Sequence, residues 1–332
     1  GLQLLTGKPA SKTWNTGLLL NSGKGAEDMK EKVKRTFSRN WRLYVLMLPA
    51  LFWLVVFAYM PMYGILIAFK DYKGKLGILG SPWAEPILKH FISFFSTSVA
   101  PQIIGNTIIL SLLTILLSFP VPVIFALLLN QIKNNKRRKV VQTISYAPYF
   151  VSNVVVVSIL SVICAPSGFI NTIIKFFNGG NALYLTSAAE YFRSLYVISN
   201  IWQTMGFSAI VYIAALTGIS QDYYEAAIMD GATKLKRILY IDIPLIMPTI
   251  IIMFILSIGN IMSIGYEKVY LMQSGTNTTV SEIISTYVYK VGLQNAQFSF
   301  ATAVGLFNAI VNFLILLIVN AISRKTADIS IF

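Results

Sequence analysis

Six apolar runs, each long enough to cross a lipid bilayer, constrain the fold of this chain more than any other feature. A transmembrane helix takes about 20 mostly apolar residues, and the runs lie near 43–69, 103–129, 140–163, 195–219, 239–265 and 299–322. Only 12% of the residues are charged, whereas a soluble domain carries about 25%. The sequence therefore predicts an all-α, polytopic membrane protein with six transmembrane helices.

Lysine and arginine are concentrated on one side of the predicted membrane. Nineteen of these 27 residues lie in four places: the N-terminal segment, the loops after the second and fourth runs, and the C-terminal tail. Because cytoplasmic loops carry the excess of positive charge, both termini and the loop 220–237 are expected in the cytoplasm. The net charge of +14 is then a topology signal, and nucleic acid is not an expected partner.

The N-terminal region divides into two segments before the membrane domain. Residues 1–25 show no periodicity and are expected to be flexible, and the first forty residues lack the apolar segment of a cleavable signal peptide. Residues 26–41 place apolar side chains at four-residue spacing among basic ones, which favours an amphipathic helix on the inner membrane surface over a disordered basic tail. The six-helix domain then occupies residues 42–332.

Residues that could support catalysis or metal binding are scarce. Cys164 is the only cysteine and His90 the only histidine, so neither a disulfide nor a metal site is expected, and no catalytic constellation lies in the apolar runs. The glycine-rich stretch 17–25 has the wrong spacing for a phosphate-binding loop and lacks its Ser or Thr. The chain is therefore predicted to bind no cofactor and to hydrolyse no ATP.

A short polar segment between the fourth and fifth runs is the most distinctive local pattern. Asp222 and Glu225, three residues apart, suggest a helix start, and Gly231 suggests the end of the same helix. Ala226 and Ala227 give that helix a smooth face that can enter a cleft of a partner. From spacing alone, an ordinary interfacial helix between two spans remains the alternative.

This segment resembles the EAA motif of permease subunits in binding-protein-dependent ABC importers. The matching residues are Glu225, Ala226, Ala227, Asp230, Gly231, Ala232, Pro244 and Pro248. Ile238 and Ile243 stand where the family often has phenylalanine and leucine, and both keep apolar character. The resemblance extends from Trp41 to the end of the chain. Residues 63–72 and 285–308 are similar to the carbohydrate-uptake branch, particularly to permeases for oligosaccharides and polysaccharide fragments.

The resemblance implies a type I importer in the bacterial cytoplasmic membrane. A second permease chain, expected to be a related but different protein, would complete the path, although a homodimer stays open. Two ATPase subunits would bind ATP and Mg, and an extracytoplasmic binding protein would deliver the sugar. Tyr224 and the motif residues up to Ala232 would form the coupling helix that docks on an ATPase.

Polar side chains within the spans are candidates for the sugar path, because such groups are costly in lipid unless they face a cavity. They are Asn200, Trp202, Gln203 and Thr204 in the fourth run, Asn260, Ser263 and Tyr266 at the fifth, and Asn308 and Asn312 in the sixth. Interhelical packing by amides is the alternative. Glu267 and Lys268, near the outer end of the fifth run, are alternative contacts for the binding protein.

Other function classes are less compatible with the sequence. One alternative stays open: an ABC permease of the same fold that carries peptides, phosphate or a metal complex, which the substrate of its binding protein would distinguish. A secondary transporter usually needs ionisable residues deep in its spans, but Asp242 is the only acid in any run. A membrane enzyme would need a catalytic cluster that the runs do not contain.

Overall fold

The computed structural model describes residues 39–177 and 180–327 of the chain, and most of these residues are helical. In chain order the helices are α1 (Arg39–Phe69), α2 (Lys89–Ser96), α3 (Ala100–Asn130), α4 (Asn135–Tyr146), α5 (Asn153–Ile163), α6 (Phe169–Phe177), α7 (Ala189–Thr217), α8 (Gln221–Met229), α9 (Lys234–Ile258), α10 (Tyr266–Met272), α11 (Ile284–Tyr289) and α12 (Phe298–Ala327). Short helical turns occupy Gly74–Leu76, Gly77–Gly80, Ala147–Phe150, Thr278–Ser281 and Lys290–Gln294.

Five of these helices, α1, α3, α7, α9 and α12, are long and apolar enough to cross a membrane. A sixth span is counted if α4 and α5 are taken together, although they meet at an angle of 98°. The all-α, multi-span fold is therefore confirmed for the described residues. The predicted N-terminal segments 1–25 and 26–41 lie outside them, except that residues 39–41 already belong to α1.

The third predicted helix, near 140–163, is not continuous. It changes direction at Val151 and Ser152, after the turn Ala147–Phe150 that contains Pro148. The backbone of Ser152 is extended, and its hydroxyl accepts a hydrogen bond from the amide of Val155, which caps the start of α5. Local capping and a proline therefore break an apolar run that hydropathy alone presents as one span.

The chain forms two compact units, of which one ends at Tyr63 and the other begins at Gly64. In the first unit, the rings of Trp53 and Phe57 on α1 lie 5.8 Å apart. In the second unit, α7 packs against α3, α4 and α9. Its contact with α4 is close at Gly206, where an added Cβ would lie 2.0 Å from the carbonyl oxygen of Ser145.

Three groups of buried apolar side chains stabilise the second unit. One joins α2, α3 and α12 through Phe94, Ile103 and Val304, and a second joins α3, α7 and α10. The third joins the C-terminal halves of α3 and α7 to the N-terminal half of α9, with Ala209 and Ile246 almost fully buried. The second and third groups hold α7 against α3 and α9, and polar residues of α7 line a space between these helices.

Candidate functional site

The predicted coupling segment forms α8, which begins at Gln221 and ends at Met229. The residue that caps its start is Ser220, whose hydroxyl accepts a hydrogen bond from the amide of Asp222. The expectation that Asp222 and Glu225 form the cap was therefore wrong by two residues. Serine is favoured at this position because its short side chain can accept a hydrogen bond from an amide of the first turn that has no partner within the helix.

Gly231 ends this helix as predicted. Its φ angle is 73°, in the left-handed region that glycine adopts without steric strain. The amide of Ala232 donates to the carbonyl of Ala227 at 2.8 Å, and the amide of Gly231 donates to the carbonyl of Ile228 at 3.0 Å. This pair of bonds is the Schellman arrangement, so three residues of the motif define the end of the helix.

Tyr224 anchors α8 to the start of the fifth span. Its hydroxyl donates to Oδ1 of Asp242 at 2.5 Å, and Nε2 of Gln131, just after α3, donates to Oδ2 of the same carboxylate at 3.3 Å. Asp242 is completely buried and ends a π-helical turn, Ile238–Asp242, within α9. Burial, followed by the neighbouring Asp242, raises the pKa of Tyr224 to about 12, so the hydroxyl keeps its proton.

The other motif residues are divided between the two sides of α8. Glu225, Ala226, Asp230 and Gly231 are exposed, whereas Ala227 and Ala232 are half-buried. Their neighbours add apolar surface, because Met229 is 87% and Ile228 55% exposed. The exposed face of α8 is thus partly acidic and partly apolar, while Tyr224 on the other side attaches it to the spans.

A cavity of about 370 Å³ lies between α3, α7, α9 and the segment that follows α9, and its walls combine apolar surface with hydroxyl and amide groups. Hydroxyl and amide groups on its walls come from Ser111, Thr114 and Ser118 of α3, from Asn200, Thr204 and Ser208 of α7, and from Ser257, Asn260 and Ser263. The hydroxyls of Ser111 and Ser118 are buried and have no hydrogen-bond partner within the described residues. Because these two hydroxyls are shielded from solvent, the groups that can meet a hydroxylated or hydrated cargo are other amides and hydroxyls of the walls, such as those of Asn200 and Asn260.

The predicted path residues are not all brought together. Asn200 and Asn260 line the cavity, with Thr204 and Ser263. Trp202 is not among its lining residues and is 46% exposed. Tyr266 instead lines a separate, mostly apolar cavity of about 580 Å³ with Tyr289 and Phe298.

The two asparagines of α12 differ from each other in their surroundings. Asn312 accepts a hydrogen bond from the amide of Met262 and donates to the hydroxyl of Ser263, so it joins α12 to the segment that follows α9. Asn308 lines neither of the two cavities. Its Oδ1 is buried, and none of the residues that the structure describes is bonded to it.

Gln203 belongs to a hydrogen-bonded network beside the cavity. Its Nε2 donates to the carbonyl of Val151 at 3.1 Å and to Oδ1 of Asn153 at 3.3 Å, and its Oε1 accepts from Nζ of Lys268 at 3.1 Å. Asn153 in turn donates to Glu267 at 2.6 Å. Lys268 is only 3% exposed, so the expectation that it contacts a binding protein is not compatible with its position.

The described residues contain no group of three or more His, Cys, Asp or Glu side chains that could hold a metal ion. His90 instead approaches Asp71 and the carbonyl of Lys70 in the loop before α2. Cys164 is buried at the end of α5, and burial raises the pKa of its thiol. The site thus consists of α8, which is anchored to the spans, and of a cavity with amide and hydroxyl groups on its walls.

Comparison with known proteins decides the family. The sequence profile described as "Binding-protein-dependent transport system inner membrane component" matches residues 122–328. The chain belongs to this family. The resemblance carried by the EAA segment is therefore confirmed, and the chain is a multi-pass membrane permease.

Individual relatives cover nearly the whole permease. It is 41% identical over 91% of its length to the "Polygalacturonan/rhamnogalacturonan transport system permease protein YteP" of Bacillus subtilis, and covers 95% of that protein. It is 39% identical over 92% of its length to "Protein LplB" of the same organism, and covers 94% of it.

A solved structure has the same fold. It is the crystal structure of "a bacterial ABC transporter involved in the import of the acidic polysaccharide alginate", and one of its chains is 36% identical to the permease with a TM-score of 0.81. The match covers 89% of the permease and 99% of that chain. The same values of identity and TM-score are found for a complex with an "alginate pentasaccharide-bound periplasmic protein". The fold is thus that of a type I ABC importer permease.

Asp242, Ser111 and Ser118 were missed as site residues from sequence. Asp242 could have been recognised from the sequence as a candidate functional residue, because it is the only acid within an apolar run. The two serines lie seven residues apart on α3, a spacing that places them on one face of a helix. However, serine is common in spans as a packing residue, so nothing local distinguishes these two from the others.

Proposed function

We propose that the permease forms one half of the transmembrane path of an ATP-driven importer, and that its cargo is an acidic oligosaccharide or polysaccharide fragment delivered by an extracytoplasmic binding protein. The similarity to YteP and to the alginate importer chain supports the cargo class, because polygalacturonan and alginate are both acidic polysaccharides. The hydroxyl- and amide-lined cavity supports the same class, since its walls offer hydrogen bonds and contain no Asp or Glu to repel a carboxylate.

The exposed face of α8 would be the contact for an ATPase subunit. Glu225 and Asp230 supply negative charge there, and Ile228 and Met229 supply apolar surface. The ATPases would bind ATP and Mg, and the permease would be a non-catalytic subunit. Their closure on ATP would move α8, and the Tyr224–Asp242 hydrogen bond would pass this movement to α9. Both termini and α8 would then lie on the cytoplasmic side.

A second permease chain would complete the path. The cavity is walled by α3, α7 and α9 of this chain, and a path through a pair of such chains would be closed by the corresponding helices of the partner. A related but different partner is the preferred assignment, and two copies of this permease are the alternative. Alternating access would then follow from rocking of the two chains about the shared cavity.

Reconstitution of the complete importer tests the proposal. The permease is co-expressed with the neighbouring permease and ATPase genes, purified and placed in liposomes, and ATP hydrolysis and sugar uptake are measured with and without the binding protein. Uptake of an oligogalacturonate that needs both ATP and the binding protein is expected. Uptake that proceeds without ATP, or a permease that neither joins an ATPase nor responds to any loaded binding protein, would refute the proposal.

Glu225→Lys provides the matched variant for this experiment. It should remove ATPase docking and uptake while leaving the permease in the membrane, because it reverses the charge of the exposed face of α8. Glu85→Lys, a charge reversal in the loop between α1 and α2, is the control and should leave ATPase docking unchanged. Equal uptake by both variants would contradict the role assigned to α8.

A further inference from the structure

Lys268 occupies an unusual position for a lysine. It lies on α10, which follows the fifth span, and only 3% of it is exposed. Its Nζ donates to Oε1 of Gln203 at 3.1 Å and lies 5.8 Å from the centre of the Tyr196 ring. Both partners are on α7, so the lysine points into the bundle. Most lysines of proteins instead point to solvent.

The positive charge of Lys268 has no carboxylate partner among residues 39–177 and 180–327. The ion pairs there join Lys89 to Asp71 and Lys290 to Glu282, and the ring of His90 also approaches Asp71. Glu267, the neighbour of Lys268 in sequence, is exposed and accepts its hydrogen bond from Asn153 instead. Burial lowers the pKa of Lys268 to about 8, so the amine is still mainly protonated at neutral pH.

Packing alone does not account for this residue. A buried charge without a counter-ion destabilises a protein, and an apolar side chain of similar length would fill the same volume at lower free energy. Ionisable side chains buried in membrane bundles are for this reason associated with transport paths. The position of Lys268 relative to the cavity therefore bears on whether this lysine has a role in transport.

Lys268 lies directly behind the cavity wall. Tyr196, whose ring it approaches, lines the cavity, and so does Asn200, which lies between Tyr196 and Gln203 on α7. The lining residues include no charged side chain.

We propose that Lys268 determines the preference of the translocation cavity for negatively charged sugars. The inference rests on the proposed import function and assigns the charge selectivity to one side chain. The ammonium group attracts a sugar carboxylate through the wall, where the surroundings screen charge less than water does. Because the Tyr196 ring, 5.8 Å from Nζ, lines the cavity while Lys268 itself does not, no contact ion pair forms that would trap the sugar.

The test compares an acidic and a neutral sugar in the reconstituted importer. Uptake of trigalacturonate and of the neutral galactose trimer is measured for the wild type, Lys268→Gln and Lys268→Arg. Lys268→Gln should lower trigalacturonate uptake about tenfold relative to the neutral trimer, as expected for loss of one partly screened charge. Lys268→Arg should retain the wild-type preference. Lys290→Gln, which removes a lysine already paired with Glu282, is the control and should not change the ratio.

Each outcome bears on a different statement. Equal loss of both sugars in Lys268→Gln would mean a structural role and would overturn the inference, as would an unchanged ratio. A binding protein that loads only the neutral trimer would overturn both the inference and the proposed acidic cargo, while ATP-dependent import itself would stand. If only trigalacturonate loads, Lys268→Arg and Lys268→Gln are compared directly, and equal rates refute the inference. Absence of any ATP-dependent uptake by the wild type would refute the import function itself.

Discussion

The hydrogen bond between Tyr224 and Asp242 should be the mechanical link between the coupling helix and the spans. Tyr224→Phe removes its donor and leaves a fully buried carboxylate with one remaining hydrogen-bond partner among the described residues, the side chain of Gln131 at 3.3 Å. Hydrogen bonds to charged groups contribute about 1.5–3 kcal/mol. Because the lost bond is the shorter of the two, we expect Tyr224→Phe to weaken the attachment of α8 by about 2 kcal/mol.

Two measurements follow from this value. The number of sugars imported per ATP hydrolysed should fall in the reconstituted importer, because a loosely attached α8 moves without moving α9. The purified complex should also lose thermal stability. Tyr223→Phe is the matched control, since Tyr223 lies on the same helix and is 56% exposed.

A double-mutant cycle makes the test specific. Asp242→Asn keeps an acceptor for Tyr224 but removes the charge, and combining it with Tyr224→Phe should cost less than the sum of the two single changes. Residues in direct contact typically couple by about 0.5–3 kcal/mol. Additive effects, or a Tyr224→Phe importer that matches Tyr223→Phe in both stability and sugars per ATP, would refute the proposed link.

The remaining predictions concern four other positions. Gly231→Val should lower uptake at least tenfold without loss of membrane insertion, because a β-branched residue at a φ angle of 73° is strained. Gly231→Asn should be tolerated better, and equal uptake by the two variants would contradict this prediction. Gly206→Leu should prevent recovery of the folded complex in size-exclusion chromatography, because a Cβ at this position would lie 2.0 Å from a backbone oxygen of α4. Gly105→Ala is the control: a Cβ there has no neighbour within 4 Å, so the folded complex should be recovered. Uptake of trigalacturonate should fall as pH rises from 7 to 9, because the Lys268 amine, with a pKa of about 8, loses its charge. Lys268→Arg should remove this pH dependence. An equal fall in the wild type and in Lys268→Arg would contradict the prediction.

Local patterns in the sequence were sufficient to predict the class of fold and the position of α8. Span length and composition are properties of continuous segments, so five of the six predicted runs appear as long helices. Gly231 could be predicted as a helix end because the left-handed conformation depends mainly on the residue itself. The EAA resemblance was also local, and it identified the family before any contact was known.

Only the tertiary structure decided which polar residues act together. Asn200 and Trp202 are two positions apart on α7, yet only Asn200 lines the cavity. Likewise, the burial of Lys268 and the bond from Tyr224 to Asp242 depend on where α10 and α8 pack against other helices. Hydropathy measures the tendency of a segment to leave water, whereas the direction of each side chain is set by helix packing between residues far apart in sequence.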